Sequence, residues 1–380
     1  MSNDVVLESE SLRVAVRARV GGTITAIEHK QLGLSVLGTV PWKAVESPIE
    51  SCVAPDERTW LTRYTGGWPL LFPNGGDACT FEGVFHGFHG EASISPWEVE
   101  SSGSAIRLTR RFITVPVRMH RQISVDGDLL TIRETAESEG NQPVTVMWGH
   151  HPTFGSDLLT GEFEIKAGAR AVMVDDGFDP PANPLWPGAT GTWPNVQGKS
   201  GPVDLSHPLC PGMGAKIAAL AYLYDFASPW ISIRRLDDAV AATLSWDASI
   251  FPNLWLWMEL GGTSDAPWLG QARLIGLEPS STRLAYGLAE AQRRGARLLI
   301  LQPKSEQSAT IRLHVGKPSG VVHGVGPDGR ALSADEVTGF RKSASQNHWR
   351  SSSLVPAHAR PGAALLEWWK CHAEQAVSKA

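Results

Sequence analysis

The chain has 380 residues, of which 42% are hydrophobic and 19% are charged, and its formal net charge is -5. A chain of this length and apolar content can bury a large core, in one large β domain or in two ordinary domains. The mild negative charge, with no block of lysine or arginine, argues against a nucleic-acid partner.

The cysteine pattern and the hydropathy of the chain indicate in which compartment the protein is found. The four cysteines form no CxxC pair, which indicates free thiols in a reducing compartment and no zinc site. The N-terminal residues lack the pattern of a signal peptide, and no apolar run approaches the roughly 18 residues of a membrane-spanning helix. We therefore expect a cytoplasmic protein with no membrane partner.

Strand-like runs separated by glycine and proline recur through the first 315 residues. They alternate apolar and polar residues or are rich in β-branched residues. In chain order they cover residues 5–7, 12–18, 23–28, 105–112, 115–125, 129–137, 144–148, 163–165, 171–174, 230–234, 241–246, 254–259 and 309–315. The chain is too long for a seven-stranded sandwich and has no propeller period, so the pattern predicts an all-β fold of another kind.

The C-terminal part changes in texture. Residues 284–294 predict a short helix that ends at Gly295, and residues 297–315 predict a closing hairpin. Beyond residue 318 the chain is rich in Ser, Gly, His and Arg, without clear periodicity. We expect one domain over residues 1–318 and a loosely ordered tail over 319–380, in which residues 363–377 carry the apolar stripe of a helix.

Three distant segments carry residues suited to acid–base chemistry beside glycine and proline, which permit tight bends near a ligand. The segments are residues 66–91, 149–155 and 276–281. Their candidate residues are Asn74, Asp77, His86, His89, His150, His151 and Glu278.

Strand alternation restricts which histidines share a site. Neighbouring side chains on a strand point to opposite faces, so His150 and His151 do not both face one ligand. We favour His151, because Pro152 ends the regular pattern there. The same argument separates His86 from His89, and we favour His89 because Gly90 allows close approach.

Glu278 ends an apolar run, where a carboxylate either pairs with a cation or has its pKa raised by desolvation. The second outcome gives a base that is useful near neutral pH. Glu259, in the similar context Trp257-Met258-Glu259-Leu260, is a competing candidate.

Metal and nucleophile chemistry fit the sequence poorly. The four histidines and Glu91 could ligate zinc or iron, but alternation leaves at most two histidines at one point and no HxH or HxxxH spacing is present. The sequence has no GxSxG elbow and no phosphate loop. We therefore predict no metal site.

Tryptophan is abundant, with 15 residues against 4 tyrosines. Most of these rings are expected to fill the core. Some are candidates for flat platforms that pack against the apolar face of a sugar ring, and Trp97 and Trp257 are the two that we single out.

Five segments, in order, resemble the aldose 1-epimerase (galactose mutarotase-like) family. They are the opening strands at 12–28, PLLFPNGG at 69–76, HGEA at 89–92 followed by Trp97, HPTF at 151–154 and LEP at 277–279. The resemblance spans roughly residues 5–315. It implies a β-supersandwich, built from large twisted antiparallel sheets, with the site on one concave face.

The resemblance also implies roles for individual residues. Glu278 would be the general base, His151 the general acid and His89 an assisting or sugar-binding histidine, with no cofactor. We further expect sugar contacts from Asn74, Asp77, His86, Trp97, Asp225 and Trp257. The sequence departs from the family pattern at three points. HGF at 86–88 also matches the motif of the first histidine, so that histidine could be His86 or His89. Asp77 stands where the family commonly has arginine, and Tyr224-Asp225-Phe226 only faintly resembles the family's YDH segment.

The expected function is therefore the interconversion of the α and β anomers of a free sugar, by a monomer or a homodimer. One alternative is a carbohydrate-binding protein without catalysis. Another is a same-fold epimerase or isomerase acting on a phosphorylated or modified sugar, for which Arg58 and Arg63 could supply cations.

Overall fold

A computed structural model describes residues 4–45, 54–102, 104–208, 216–237 and 239–339. Antiparallel strands are the predominant secondary structure of these residues. The strands are β1 Asp4–Glu8, β2 Leu12–Arg17, β3 Thr23–His29, β4 Leu34–Ser35, β5 Leu70–Leu71, β6 Cys79–Phe81, β7 Val84–His86, β8 Glu98–Ser102, β9 Ala105–Arg111, β10 Val117–Asp126, β11 Leu129–Ser138, β12 Val144–Val146, β13 Gly149–His150, β14 Thr153–Phe154, β15 Phe163–Val174, β16 Thr190–Thr192, β17 Asn195–Gly198, β18 Gly201–Asp204, β19 Ile217–Arg235, β20 Ala241–Trp246, β21 Asn253–Leu260, β22 Arg273–Ser280, β23 Leu299–Leu301, β24 Glu306–Gly316, β25 Gly324–Val325 and β26 Ala331–Leu332. Helices α1 and α2 cover Glu57–Leu61 and Leu288–Arg293, and a 3-10 helix covers Ser156–Leu159.

One large sheet organises the domain around β19. The strand order is β5-β13-β22-β21-β19-β20-β24-β11-β10-β9-β8, with β14 beside β22 and β15 beside β19. The first part of β19 pairs with β21 and its last part pairs with β20, so this 19-residue strand joins the two halves of the sheet. The prediction of an all-β fold with large antiparallel sheets is confirmed.

The core lies on one face of β21 and β22. Leu254 and Leu256 of β21 and Leu277 of β22 belong to the main apolar cluster. Because side chains alternate along a strand, the intervening residues face the other way. We call this second face, which carries Trp255, Trp257, Gly276 and Glu278, the site face.

A small N-terminal sheet covers part of the large one. Strands β1 to β4 pair in sequence order, and isolated bridges connect Ile24 with Trp68 and Leu37 with Phe154. These bridges hold the segment before β5 and the end of β14 against the same small sheet. Two segments that carry site residues are thereby fixed relative to each other.

Residues 319–339 pack on the domain. Strands β25 and β26 pair with each other, and Val322 and Val325 bury their side chains against Trp230 and Ala241. The paired strands and their buried valines differ from the loosely ordered tail that the sequence predicted for residues 319–380. The expected helix over residues 363–377 lies outside the described residues.

Within the described ranges, no helix is long and apolar enough to cross a membrane.

Candidate active site

Glu278 stands on the site face of β22. Strand pairing places Glu278 opposite Trp255, and Gly276 opposite Trp257 on β21 and Thr153 on β14. The Glu278 residue is 3% exposed, and no hydrogen bond from a described residue offsets the burial of its carboxyl group. Burial raises the pKa of this carboxyl well above its ordinary value.

His151 faces Glu278 from the turn between β13 and β14. Its Nε2 lies 3.7 Å from Glu278 Oε1. Its Nδ1 lies 3.1 Å from Thr153 Oγ1, which is itself 2.6 Å from the hydroxyl of Tyr64. These contacts fix the imidazole with Nε2 toward the carboxylate, and burial lowers the pKa of His151 to about 4.

His89 joins the pair from the loop after β7. It adopts a positive φ of 56°, and its Nδ1 lies 2.6 Å from the carbonyl oxygen of Gly75. Since a carbonyl only accepts, Nδ1 carries the proton and Nε2 is left as an acceptor. The His89 and His151 ring centroids are 5.5 Å apart. Burial and, to a smaller extent, His151 lower the pKa of His89 to about 3.

Aromatic rings enclose the two histidines on the side of α1. Trp60 lies edge-on to His89, with centroids 4.7 Å apart, and Tyr64 lies 5.6 Å from His151. The Asp56 side chain caps α1 by accepting from the Thr59 amide. The Trp60 indole donates to Ser93 Oγ at 2.9 Å, which fixes the ring.

A chain of tryptophans leads from His151 to the surface. The ring centroids of His151 and Trp257 are 5.6 Å apart, those of Trp257 and Trp268 are 5.5 Å apart, and those of Trp268 and Trp42 are 4.8 Å apart. These three tryptophans are partly exposed. The polar groups at the centre of the site are therefore reached through an aromatic entrance that includes Trp257, one of the two predicted platforms.

Trp97, the other predicted platform, is a core residue. It is 4% exposed within the main apolar cluster and donates its indole hydrogen to the Ala92 carbonyl at 3.2 Å. The guanidinium of Arg121 lies 5.8 Å from its ring centroid. The expectation that Trp97 contacts a ligand is therefore not met, because distant strands close over it.

Asn74 shapes the loop that supports His89. Its Nδ2 approaches the carbonyl oxygens of Gly76, Asp77 and Gly87, and its Oδ1 accepts from the Leu288 amide at 3.0 Å. Both N–H groups of the amide are engaged, and the side chain is fully buried. Asn74 is thus a structural residue rather than the predicted sugar contact.

Three other predicted contacts lie apart from the pair. His86 is buried in the hairpin of β6 and β7, opposite Cys79, and burial lowers its pKa. Asp77 is exposed at the end of the Asn74 loop. Asp225 is an exposed residue with a positive φ of 53°, and it pairs with Arg170 at 3.6 Å.

His150 points to the opposite side from His151, as strand alternation predicts. Its Nε2 lies 3.0 Å from Glu134 Oε2, and its Nδ1 accepts from the Trp68 indole at 3.1 Å. Glu134 also binds Arg121 Nε at 2.6 Å. Burial alone would raise the pKa of Glu134, but His150 and Arg121 lower it to about 2.

The competing carboxylates are already engaged. Glu259 Oε1 accepts from the amides of Gly262 and Thr263 at 2.8 and 3.1 Å. Glu91 binds Arg110 at 2.7 Å and accepts from two backbone amides. Among the residues that the structure describes, no group of three or more His, Cys, Asp or Glu is arranged to hold a metal ion.

Sequence reasoning missed Trp60, Tyr64, Trp268 and Gly276. Trp60 and Tyr64 stand four residues apart, just before Gly66 and Gly67, and this spacing was an available signal for one helical face. Trp268 lies in no recognisable motif, so the sequence offers no signal for it. Arg63, considered as a cation for a phosphate, lines a cavity with Arg17 that also borders Trp60 and Tyr64.

Comparison with solved structures identifies the fold. A galactose mutarotase-like protein from Lactobacillus casei is 16% identical, with 83% of this chain and 100% of that chain covered and a TM-score of 0.56. An aldose 1-epimerase candidate from Klebsiella pneumoniae is 14% identical, with 89% and 81% covered and a TM-score of 0.60. A galactose mutarotase related enzyme from Lactobacillus acidophilus is 16% identical, with 82% and 97% covered and a TM-score of 0.54.

No protein-family model and no curated protein matches the sequence. The protein has the galactose mutarotase-like fold, and the resemblance noted in the sequence is confirmed at the level of that fold.

Proposed function

We propose that the protein is an aldose 1-epimerase, which interconverts the α and β anomers of a free sugar. The observation that carries the proposal is the approach of His151 Nε2 to Glu278 Oε1 at 3.7 Å on the site face. Two ionisable groups from distant segments meet there, in surroundings that shift both pKa values strongly. Such pairs are typical of acid–base sites.

The reaction requires one acid and one base. Opening the hemiacetal removes the proton from the anomeric hydroxyl, delivers a proton to the ring oxygen and breaks the bond between C1 and that oxygen. Rotation about the bond from C1 to C2 presents the other face of the aldehyde, and reclosure returns both protons. Each positioned acid or base typically contributes about 10²–10⁴-fold to the rate.

The separation of the two groups suits this chemistry. The anomeric hydroxyl and the ring oxygen are both bonded to C1, so the acid and the base need not stand a whole pyranose ring apart. Glu278 and His151 serve as this pair, and the Nε2 of His89 is an acceptor for a neighbouring sugar hydroxyl. Trp257 offers a partly exposed ring beside His151 for the apolar face of the sugar.

The pair carries one proton in this scheme. Burial disfavours the charged form of each group, so the proton resides on Glu278 and His151 is neutral. The resemblance assigns the base role to Glu278 and the acid role to His151, and that arrangement differs only by transfer of this proton within the pair. Both arrangements supply one acid and one base.

Polarimetry of freshly dissolved aldoses tests the proposal. Glu278→Gln and His151→Ala should each reduce catalysed mutarotation by about 10²-fold or more, because each removes one member of the pair. Glu259→Gln is the matched control, since Glu259 is a buried carboxylate on the adjacent strand whose oxygens are already bonded. Near-wild-type rates in both site variants would refute the assignment.

Calorimetry separates the non-catalytic alternative. A wild-type protein that binds an aldose without accelerating its mutarotation would be a carbohydrate-binding protein, and the epimerase proposal would fall.

A further inference from the structure

Gly276 stands in the middle of β22, two residues before Glu278 and on the same face. A glycine inside a strand packs no side chain and weakens the strand. Such a residue commonly marks a place where another group must approach the backbone closely. The structure identifies the approaching group at this position.

The space that a side chain would fill at residue 276 is occupied by Glu278. A Cβ atom on Gly276 would lie 2.1 Å from Glu278 Oε1, 3.0 Å from its Cδ and 3.2 Å from its Cγ. These three nearest atoms all belong to one flexible side chain. Backbone and neighbouring strands are therefore not what prevents a methyl group there.

The same oxygen links this close approach to His151. Oε1, which lies over Gly276, is also the atom that stands 3.7 Å from His151 Nε2. The carboxylate must lie flat along the strand, across residue 276, to present Oε1 in this way. Any side chain at that position would turn the carboxylate away from the imidazole.

We propose that Gly276 is a positioning residue. Because it has no side chain, it leaves free the space that the Glu278 carboxylate occupies next to His151. The catalytic part of this inference rests on the proposed epimerase function. The steric part concerns the placement of Glu278 and stands independently of catalysis.

The primary test is Gly276→Ala. The variant should fold with a melting temperature close to that of the wild type, because only the far end of a side chain must move. Its kcat for mutarotation should fall by at least about 10-fold while KM changes less, since sugar contacts elsewhere remain. Gly316→Ala on β24 is the control, because a Cβ there meets its nearest atom, in the His314 ring, at 3.5 Å.

A double-mutant cycle with Glu278→Asp tests the mechanism of the effect. Aspartate is one methylene shorter and does not reach across residue 276 in the same way. The Glu278→Asp substitution should therefore cost less rate in the Gly276→Ala background than in the wild type. Additive losses would show that Gly276 acts by some other route.

Titration of the Glu278 carboxyl by carbon-13 NMR separates this inference from the epimerase proposal. In Gly276→Ala the displaced carboxyl should have a lower pKa than in the wild type, because it leaves its buried position. If the wild type has no mutarotase activity but the Gly276→Ala substitution still lowers the pKa of Glu278, the proposed function would be overturned and the positioning role supported. An unchanged pKa in Gly276→Ala would overturn the positioning role.

Discussion

At the scale of the residue, the Glu278–His151 pair is defined by desolvation. Glu278 is 3% exposed and His151 is 6% exposed, and Trp60, Tyr64 and Trp257 replace water around the imidazole. Desolvation raises the pKa of the acid and lowers that of the imidazole. The pair consequently holds a single proton over a wide pH range, which is the protonation state that ring opening requires.

The pH dependence of kcat/KM should show a broad plateau. Below about pH 4, His151 gains a proton, the pair holds two protons and no base remains. Above the raised pKa of Glu278 the pair holds none, and no acid remains. The rate should therefore rise to a plateau above about pH 4 and fall only above the raised pKa of Glu278, as measured by polarimetry in buffers of constant ionic strength.

Ordinary pKa values would give a different curve. Groups titrating at about 4.3 and 6.5 would produce a narrow bell with falling rates at neutral pH. A narrow bell-shaped pH profile would contradict the conclusion that desolvation shifts the pKa values of Glu278 and His151 apart. Because the two groups interact, the limits belong to the pair rather than to either residue alone.

At the scale of the element, strands β10 and β11 carry two ion pairs in different surroundings. Arg121 pairs with Glu134 toward the core, with side chains 0% and 2% exposed. Arg118 and Glu137 are also register partners, but they lie 4.0 Å apart with side chains 34% and 37% exposed. Their opposite orientation follows from the odd number of residues that separates them along the strand.

Glu134→Ala should destabilise the protein by about 3–5 kcal/mol, because it leaves the Arg121 guanidinium buried without its carboxylate. It also removes the partner of His150, which precedes His151 in the chain. Urea unfolding followed by tryptophan fluorescence measures the change. Glu137→Ala on the same strand is the control and should cost about 0–1 kcal/mol. Equal effects of the two variants would contradict the structural role of the buried pair.

Local sequence patterns predicted the strands and the direction of their side chains better than they predicted contacts between distant segments. Alternation separated His150 from His151, because a period of two is a property of the strand itself. The fates of Trp97 and Asn74 were not predictable in this way. The guanidinium of Arg121 lies over the ring of Trp97, and the amide of Asn74 is bonded to Leu288, which is 214 residues away in the chain. Contacts between segments so far apart in the chain leave no local sequence pattern.

At the scale of the whole molecule, β19 joins the two halves of the sheet and places the site near one of its ends. Tyr222 of β19, Trp255 of β21 and Glu278 of β22 are consecutive cross-strand partners on one face. The opposite end of β19 carries Trp230, against which residues 319–339 pack. The domain thus continues past the boundary expected at residue 318, and its last described segment lies along the same strand that leads to the site.

Val325→Ala tests whether this segment contributes to the folded domain. Val325 is 2% exposed against Trp230, so removing two methyl groups from a packed site should destabilise the protein by about 2 kcal/mol. Val84→Ala is the control, because Val84 is 39% exposed and should cost little. Differential scanning calorimetry measures both. A neutral Val325→Ala would mean that the hairpin of β25 and β26 adds nothing to stability, whereas the expected loss places it within the cooperative unit that β19 organises.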